Sequence, residues 1–511
     1  MDQGGKSGLS ELMTDGEGSY SRQLWSEIEA YVANREQAQS ETDAGACRDI
    51  DCICDDMPLI EAEKPTKGTF LDETIGLRDP EGETLTSAVM DVVAARREPG
   101  RQRKPADIDN ERKLLRCMIA NGLLCEWHRK PPVVSYLRRA AGYSGKPNKP
   151  IWLSGRALSR EADLRAAAGL IRLLPGERET ASGYIISGEL LDLAHHHGVS
   201  IQSLQRSIDS EDLVRLKAER PKATFDVFMR KLVRHKGERI YFEPTTQTEE
   251  WRDAVGAYND FLSQQDIKVE VSADIVHLWT TALNEDEVHS GGKIYRPELF
   301  RKAVYRVFND GTADHPTFER GGRLAGGFWM NVPKEVRPYI TIGGQPTIEL
   351  DYGACHPRML YHERGLDCID DPYDIPEVVE LGQAAGATHE ECRSWVKWIF
   401  QFLINGRRRP GRNNCPPDVK LPPDIKPSEL AKIIEARHES IADDFRTGAG
   451  LRLMRLESDI AMAVITKARE QGWLALPIHD SFVTAIENKT HLRKMMTDEY
   501  IKKFHREPRI K

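Results

Sequence analysis

The chain has no run of eighteen apolar residues, no paired cysteine spacing and no excess of positive charge. The first absence excludes a membrane-spanning helix, and so a membrane partner. The opening MDQGGKSGLSELM lacks the basic and apolar regions of a signal peptide. Nine cysteines, at 47, 52, 54, 117, 125, 355, 368, 392 and 415, are odd in number and scattered. That pattern argues against a disulfide framework and for a reducing compartment, so the expected location is cytoplasmic. Cys47, Cys52 and Cys54 form no CxxC pair and have no fourth ligand nearby, which favours free thiols in a tail over a structural zinc. A net charge of −8 gives no global nucleic-acid signature. Nothing in the sequence marks an oligomeric state.

What is present is unevenly distributed. At 511 residues there is material for two or three domains. Residues 1–105 are acidic and poor in aliphatic runs, and are predicted to be largely disordered. One amphipathic stretch there, SRQLWSEIEAYVANRE, puts Trp25, Ile28 and Tyr31 or Val32 on one helical face, for local packing or for docking a partner. From Arg96 to Lys149 the balance turns basic. Within 106–210, SGRALSREADLRAAAGLI is predicted as a helix, and RLLPGERETASGYIIS as strand, Pro-Gly turn and strand. This pattern resembles a winged-helix nucleic-acid-binding unit, with an ordinary helix and hairpin as the alternative. The histidines at 195–197 suit a helix C-terminus before Gly198. Residues 211–320 are predicted to be mainly helical, with Trp251, Val255, Tyr258 and Phe261 on one stripe, and 413–427 to be a proline-rich loop.

Two stretches carry chemistry. In IELDYGACHPRMLY, residues 348–361, alternating apolar residues end at Asp351 before a turn and a new helix. In WLALPIHDSFVTAI, residues 473–486, two apolar runs flank His479-Asp480-Ser481, the form of a hairpin with an acid at its tip. Two strand-borne carboxylates brought side by side can hold two Mg²⁺ ions for phosphoryl transfer, with Mn²⁺ as a substitute. Arg393 and Lys397, one helical turn apart, suit phosphate oxygens, Arg as a fork and Lys as a point charge.

The segment DYGACHPR resembles motif A of family A DNA polymerases, with an arginine seven positions after the aspartate. HDS resembles motif C in the form typical of single-subunit phage-type RNA polymerases, where bacterial DNA polymerase I has Glu for that Ser. RSWVKWIFQFLINGR, residues 393–407, resembles motif B, and GGRLAGGFWMNVP the segment preceding motif A. The four occur in family order over residues 321–486. The resemblance implies an α+β right-hand fold: a palm with an antiparallel sheet over 321–511, fingers inserted at about 375–450, and a helical thumb-like region at 211–320. It implies a template-directed DNA polymerase that joins dNTPs to a primer 3′-hydroxyl. Asp351 and Asp480 would be the metal ligands, and Arg393 and Lys397 the triphosphate ligands, Lys397 also as candidate acid. Arg323 would reach a primer or nucleotide minor-groove edge, Arg358 would be structural, and Glu457 would lie near the primer strand. His479 would contact the primer terminus, brace Asp480 or be a core histidine, and Glu349, alternating onto the strand face of Asp351, would assist a metal or make a structural pairing. DDPYDI, residues 370–375, resembles the segment that opens the fingers.

The departures are specific. His356 stands where the family gates the sugar 2′-position, and its bulk leans toward deoxynucleotides. Gln401 and Asn405 replace two aromatics that the family sets near the sugar and template base. The insert RRRPGRNN, with Arg407, Arg408, Arg409 and Arg412, is either a phosphate clamp or a solvated loop. No spaced-acid exonuclease signature occurs in the N-terminal half. The alternatives are an RNA polymerase or primase-like enzyme using NTPs and RNA, a template-independent terminal transferase, or a non-catalytic DNA-binding replication initiator.

Overall fold

A computed structural model describes residues 68–96, 104–130, 132–138, 152–174, 176, 181–206, 208, 212–219, 224–226, 231–233, 237–270, 272, 275, 277–280, 294–295, 298–312, 315–368, 370–416 and 419–511. The Trp25 segment and Cys47, Cys52 and Cys54 lie outside the described residues, as does most of the basic stretch at 139–151.

Residues 68–96 differ from the disorder predicted for them. They contribute short strands and the helix Glu81–Ala94, in which Leu85, Val89 and Val93 are buried at four-residue spacing. That stripe, with Met90 and Val92 packed at its margins, docks the helix. With the helix Pro105–His128 it shares a core that also takes in Leu158, Ala162, Tyr184 and Leu190. The helix Gly155–Ala167 begins at Ser154, whose Oγ accepts from the Ala157 amide at 3.1 Å. The antiparallel pair Ile171–Leu174 and Ser182–Ile186 follows, with Val134–Tyr136 on the far side of the second strand. The histidine run closes the helix Gly188–His196, and Gly198 takes φ 69° beyond it.

The described part of the region 211–320 is not mainly helical. Among its described residues one long helix, Thr246–Ser263, lies beside a four-stranded sheet. The strand order is Arg239–Ile240, Val214–Ala218, Tyr305–Gly311 and Gly321–Ala325. Leu213, Val214 and Leu216 are buried with Arg215 among them, too short an apolar run to stand out among the surrounding charges. On the helix, Val255 and Tyr258 are core, while Trp251 and Phe261 are only half-buried.

The site rests on a five-stranded antiparallel sheet. Its order is Ile267–Val269, Ile340–Ile342, Gln345–Asp351, Ser481–Ala485 and Ala475–Ile478. Helices Cys355–Glu363, His389–Asn405, Ala449–Glu470 and Lys489–Phe504 share its core. The hairpin is clamped from two sides. Tyr258 donates its hydroxyl to the Ala475 carbonyl at 2.7 Å, and Trp329 its Nε1–H to the Pro477 carbonyl at 3.0 Å. The architecture is α+β, and no helix among the described residues is long and apolar enough to cross a membrane.

His438 ties the insert between Asp351 and Asp480 to this body. Fully buried, it donates Nε2–H to the Pro372 carbonyl and accepts the Tyr361 hydroxyl at Nδ1, both at 2.9 Å. Burial pushes its imidazole down to about 4. The folded value lies below the unfolded one, so the stability it contributes is present above pH 6.5 and is lost as pH falls toward 4. The loss should reach about 3 kcal/mol. Urea unfolding at pH 7.5 and pH 4.5 should show a smaller difference in His438→Gln than in the wild type. An unchanged difference would remove His438 as its source.

Candidate active site

Asp351 and Asp480 are brought together by strand register. Asp351 ends its strand opposite Ser481, and Ile478 pairs with Ser481 across the hairpin, leaving His479 and Asp480 as the turn. The Tyr352 amide donates to the Asp480 carbonyl at 3.2 Å, tying one acid's corner to the other. Two non-glycine residues at these corners have left-handed backbone: His479 at φ 57° and Ala354 at φ 53°. Ala354 opens the helix Cys355–Glu363 and turns the chain directly after the acid.

Both carboxylates line a cavity of about 460 Å³. Arg323, Lys334, His356, Tyr373, Arg393 and Lys397 complete much of its wall. Burial, then the charges of Asp480 and Glu349, push Asp351 up to about 7, against the pull of Lys511 and Lys397. Burial and Glu457 also raise Asp480, against Arg323. A site that resists two negative charges so strongly is one that a divalent cation would relieve. Among the described residues no group of three or more His, Cys, Asp or Glu side chains forms a metal site. Two carboxylates nonetheless suit Mg²⁺, which keeps several waters and shares its remaining positions with substrate phosphates.

The family-like residues divide by what already holds them. Glu349 accepts from Arg337 Nη1 at 2.9 Å and from the Ser481 hydroxyl at 2.5 Å, so it is a brace between the two acid-bearing strands. Arg358 donates to the Gly353 and Asp370 carbonyls and fixes the turn after Asp351. Arg323 is gripped by Glu457 through two bonds, at 2.8 and 2.7 Å. The same buried carboxylate accepts His356 Nε2–H at 2.9 Å. Arg323 and His356 hold Glu457 down at about 2, overcoming the opposing effect of its burial. His356 is therefore a fixed ring in the cavity floor. His479 is half-buried, and burial, with the Arg323 charge, pushes it down to about 4. Its Nδ1 has no hydrogen-bond partner among the described residues.

On the helix His389–Asn405, Arg393 is held by Asp371 at 2.8 Å and lies over the Tyr373 ring. Lys397 is exposed to the cavity with no described carboxylate within ion-pair distance. Gln401 reaches the lining and hydrogen-bonds Tyr373. Asn405 does not line the cavity: it is exposed and bonds back to the Gln401 carbonyl at 2.9 Å. Two arginines of the insert are already committed. Arg409 pairs with Glu435, and Arg412 donates to the carbonyls of Leu421, Pro422, Pro423 and Ile425. Only Arg407 and Arg408 of that group have neither an ion pair nor a side-chain hydrogen bond among the described residues.

Sequence reasoning missed Lys334 and Lys511 in the cavity wall. Tyr373 stood in the quoted DDPYDI, and an aromatic between turn residues is a signal that could have drawn attention. Lys511 has no local signal, because only backbone pairing brings it to Asp351. No protein-family model matches the chain, and no curated protein matches it.

Proposed function

We propose that the chain is a template-directed nucleotidyltransferase that extends a nucleic-acid primer, with dNTPs as the favoured substrates. The observation that carries this reading is the pair of acids held on registered strands at one wall of a cavity, with Arg393 and Lys397 lining the same space. Asp351 and Asp480 would hold two Mg²⁺ ions, which when bound supply Lewis-acid stabilisation of the phosphoryl oxygens. The chain's own residues do the rest. Lys397 and Arg393 draw in the triphosphate, and Lys397 is the candidate proton donor as pyrophosphate leaves. The primer 3′-hydroxyl attacks the α-phosphate, with the template-facing geometry supplied by bound nucleic acid. The fixed ring of His356 limits the space available to a ribose 2′-hydroxyl. The 106–210 unit and the basic stretch beside it are the proposed contacts to duplex.

Primer extension with Mg²⁺, with and without template, in parallel dNTP and NTP reactions, tests this. Templated dNTP incorporation is the expected result, and His356→Gly should narrow the dNTP/NTP preference by about tenfold or more. Incorporation independent of template would favour a terminal transferase, and NTP preference an RNA polymerase. No incorporation under any condition, from folded protein, would overturn the reading.

A further inference from the structure

We propose that Lys511 is a substrate-phosphate ligand, carried into the cavity by the 509–511 segment; this rests on the triphosphate reading of the site. After the helix Lys489–Phe504, His505 takes φ 55° and the chain turns back toward the sheet. Residues 509–511 then run antiparallel to 351–353. The Gly353 amide donates to the Arg509 carbonyl at 2.8 Å, Tyr352 bridges Ile510, and the Lys511 amide donates to the Asp351 carbonyl at 2.9 Å. Side chains pin the segment from outside: Arg493 to the Ile510 carbonyl at 2.9 Å, Arg506 to Asp367 at 3.1 Å, and Arg509 to Asp370 at 2.8 Å.

The side chain of Lys511 is aimed by this pairing. Its stem passes Gly353 so closely that a Cβ there would sit 3.2 Å from Lys511 Cε, so the absent side chain at 353 leaves the stem its path. Lys511 lines the cavity together with Arg393 and Lys397. Of the three, Arg393 is already committed to Asp371, while Lys397 and Lys511 have no described carboxylate within ion-pair distance. Lys397 from the helix His389–Asn405 and Lys511 from the 509–511 segment thus bring uncommitted ammonium groups to the same space as the two acids, with Lys334 a third on the cavity wall. A polyphosphate, with its several negative charges, is the ligand class this arrangement recognises. A purely structural lysine would instead be found paired or packed away from the cavity.

The test uses the full chain with Lys511→Ala and Lys511→Arg, and Lys432→Ala as an exposed control on another helix. Two quantities are measured: the KM and kcat for dNTP in primer extension, and the Kd of inorganic tripolyphosphate with Mg²⁺ by calorimetry. Lys511→Ala should raise both KM and Kd about tenfold, with kcat changed much less. Lys511→Arg should recover most of the binding, and Lys432→Ala should match the wild type. Thermal melts confirm that each variant is folded. If Lys511→Ala leaves KM and Kd unchanged while the wild type extends primers, the Lys511 assignment is wrong and the polymerase reading stands. If the wild type extends nothing yet loses tripolyphosphate binding in Lys511→Ala, the phosphate ligand stands and the polymerase reading falls. A wild type that neither extends nor binds overturns both.

Discussion

Asp351→Asn and Asp480→Asn should each lower Mg²⁺-dependent nucleotide incorporation by about 10³-fold or more, and neither should unfold the protein. The two substitutions are nearly isosteric, and both positions belong to a sheet whose backbone bonds they leave intact. Asp351 is raised to about 7 in the fold, so its ionised form is destabilising at neutral pH and above. Asparagine removes that cost. Asp351→Asn should therefore be more stable than the wild type at pH 8, by on the order of 1 kcal/mol after allowance for solvent screening, and melt at a higher temperature. Mg²⁺ should raise the melting temperature of the wild type and lose that effect in either variant. Undiminished incorporation in both variants would rule out the paired acids as the catalytic centre.

Glu457→Ala should be the most destabilising single change near the site, at about 3–5 kcal/mol. Glu457 is 2% exposed and is the sole carboxylate shared by Arg323 and His356 among the described residues. Its removal leaves the Arg323 guanidinium, itself nearly buried, without a counter-charge. Arg323→Ala combined with Glu457→Ala should cost clearly less than the sum of the two single changes, as expected for one interacting unit. The wild-type contribution has a defined pH window. Glu457 is held at about 2, below its unfolded value, so its stabilisation is complete above pH 4.5 and fades as pH drops toward 2. Chemical denaturation of the four proteins at pH 7 supplies the cycle. Additive losses would show that Arg323 and Glu457 act independently. Glu457→Gln, which keeps the shape and one acceptor, should lie between wild type and alanine.

Much of the site's frame was legible along the chain. The alternation before Asp351 and the apolar runs around His479-Asp480 anticipated a strand end and a hairpin tip, which is where the acids sit. The spacing of Arg393 and Lys397 anticipated one helical face. Interactions made across elements were not legible. The grip of Glu457 on Arg323 spans 134 positions and on His356 spans 101, and nothing local marks partners so distant. The arginine insert, read as either a phosphate clamp or a solvated loop, hides another such interaction: Arg412 reaches carbonyls of the proline-rich loop nine to thirteen positions away. The strands at 214–218 and 305–311 were overlooked because their buried face is complete only when they pair with each other.

The left-handed corners at Ala354 and His479 set two demands against each other. A side chain held in that conformation is worth about 1 kcal/mol less than glycine would be, and both corners adjoin an acid whose ionisation the fold resists. Two of the five left-handed non-glycine residues among the described ones thus sit beside the acids; the others are Asp310, Arg446 and His505. Adaptation toward greater thermal stability would find its easiest gains where the spacing of the acids is decided. Those turns are where robustness and chemistry compete.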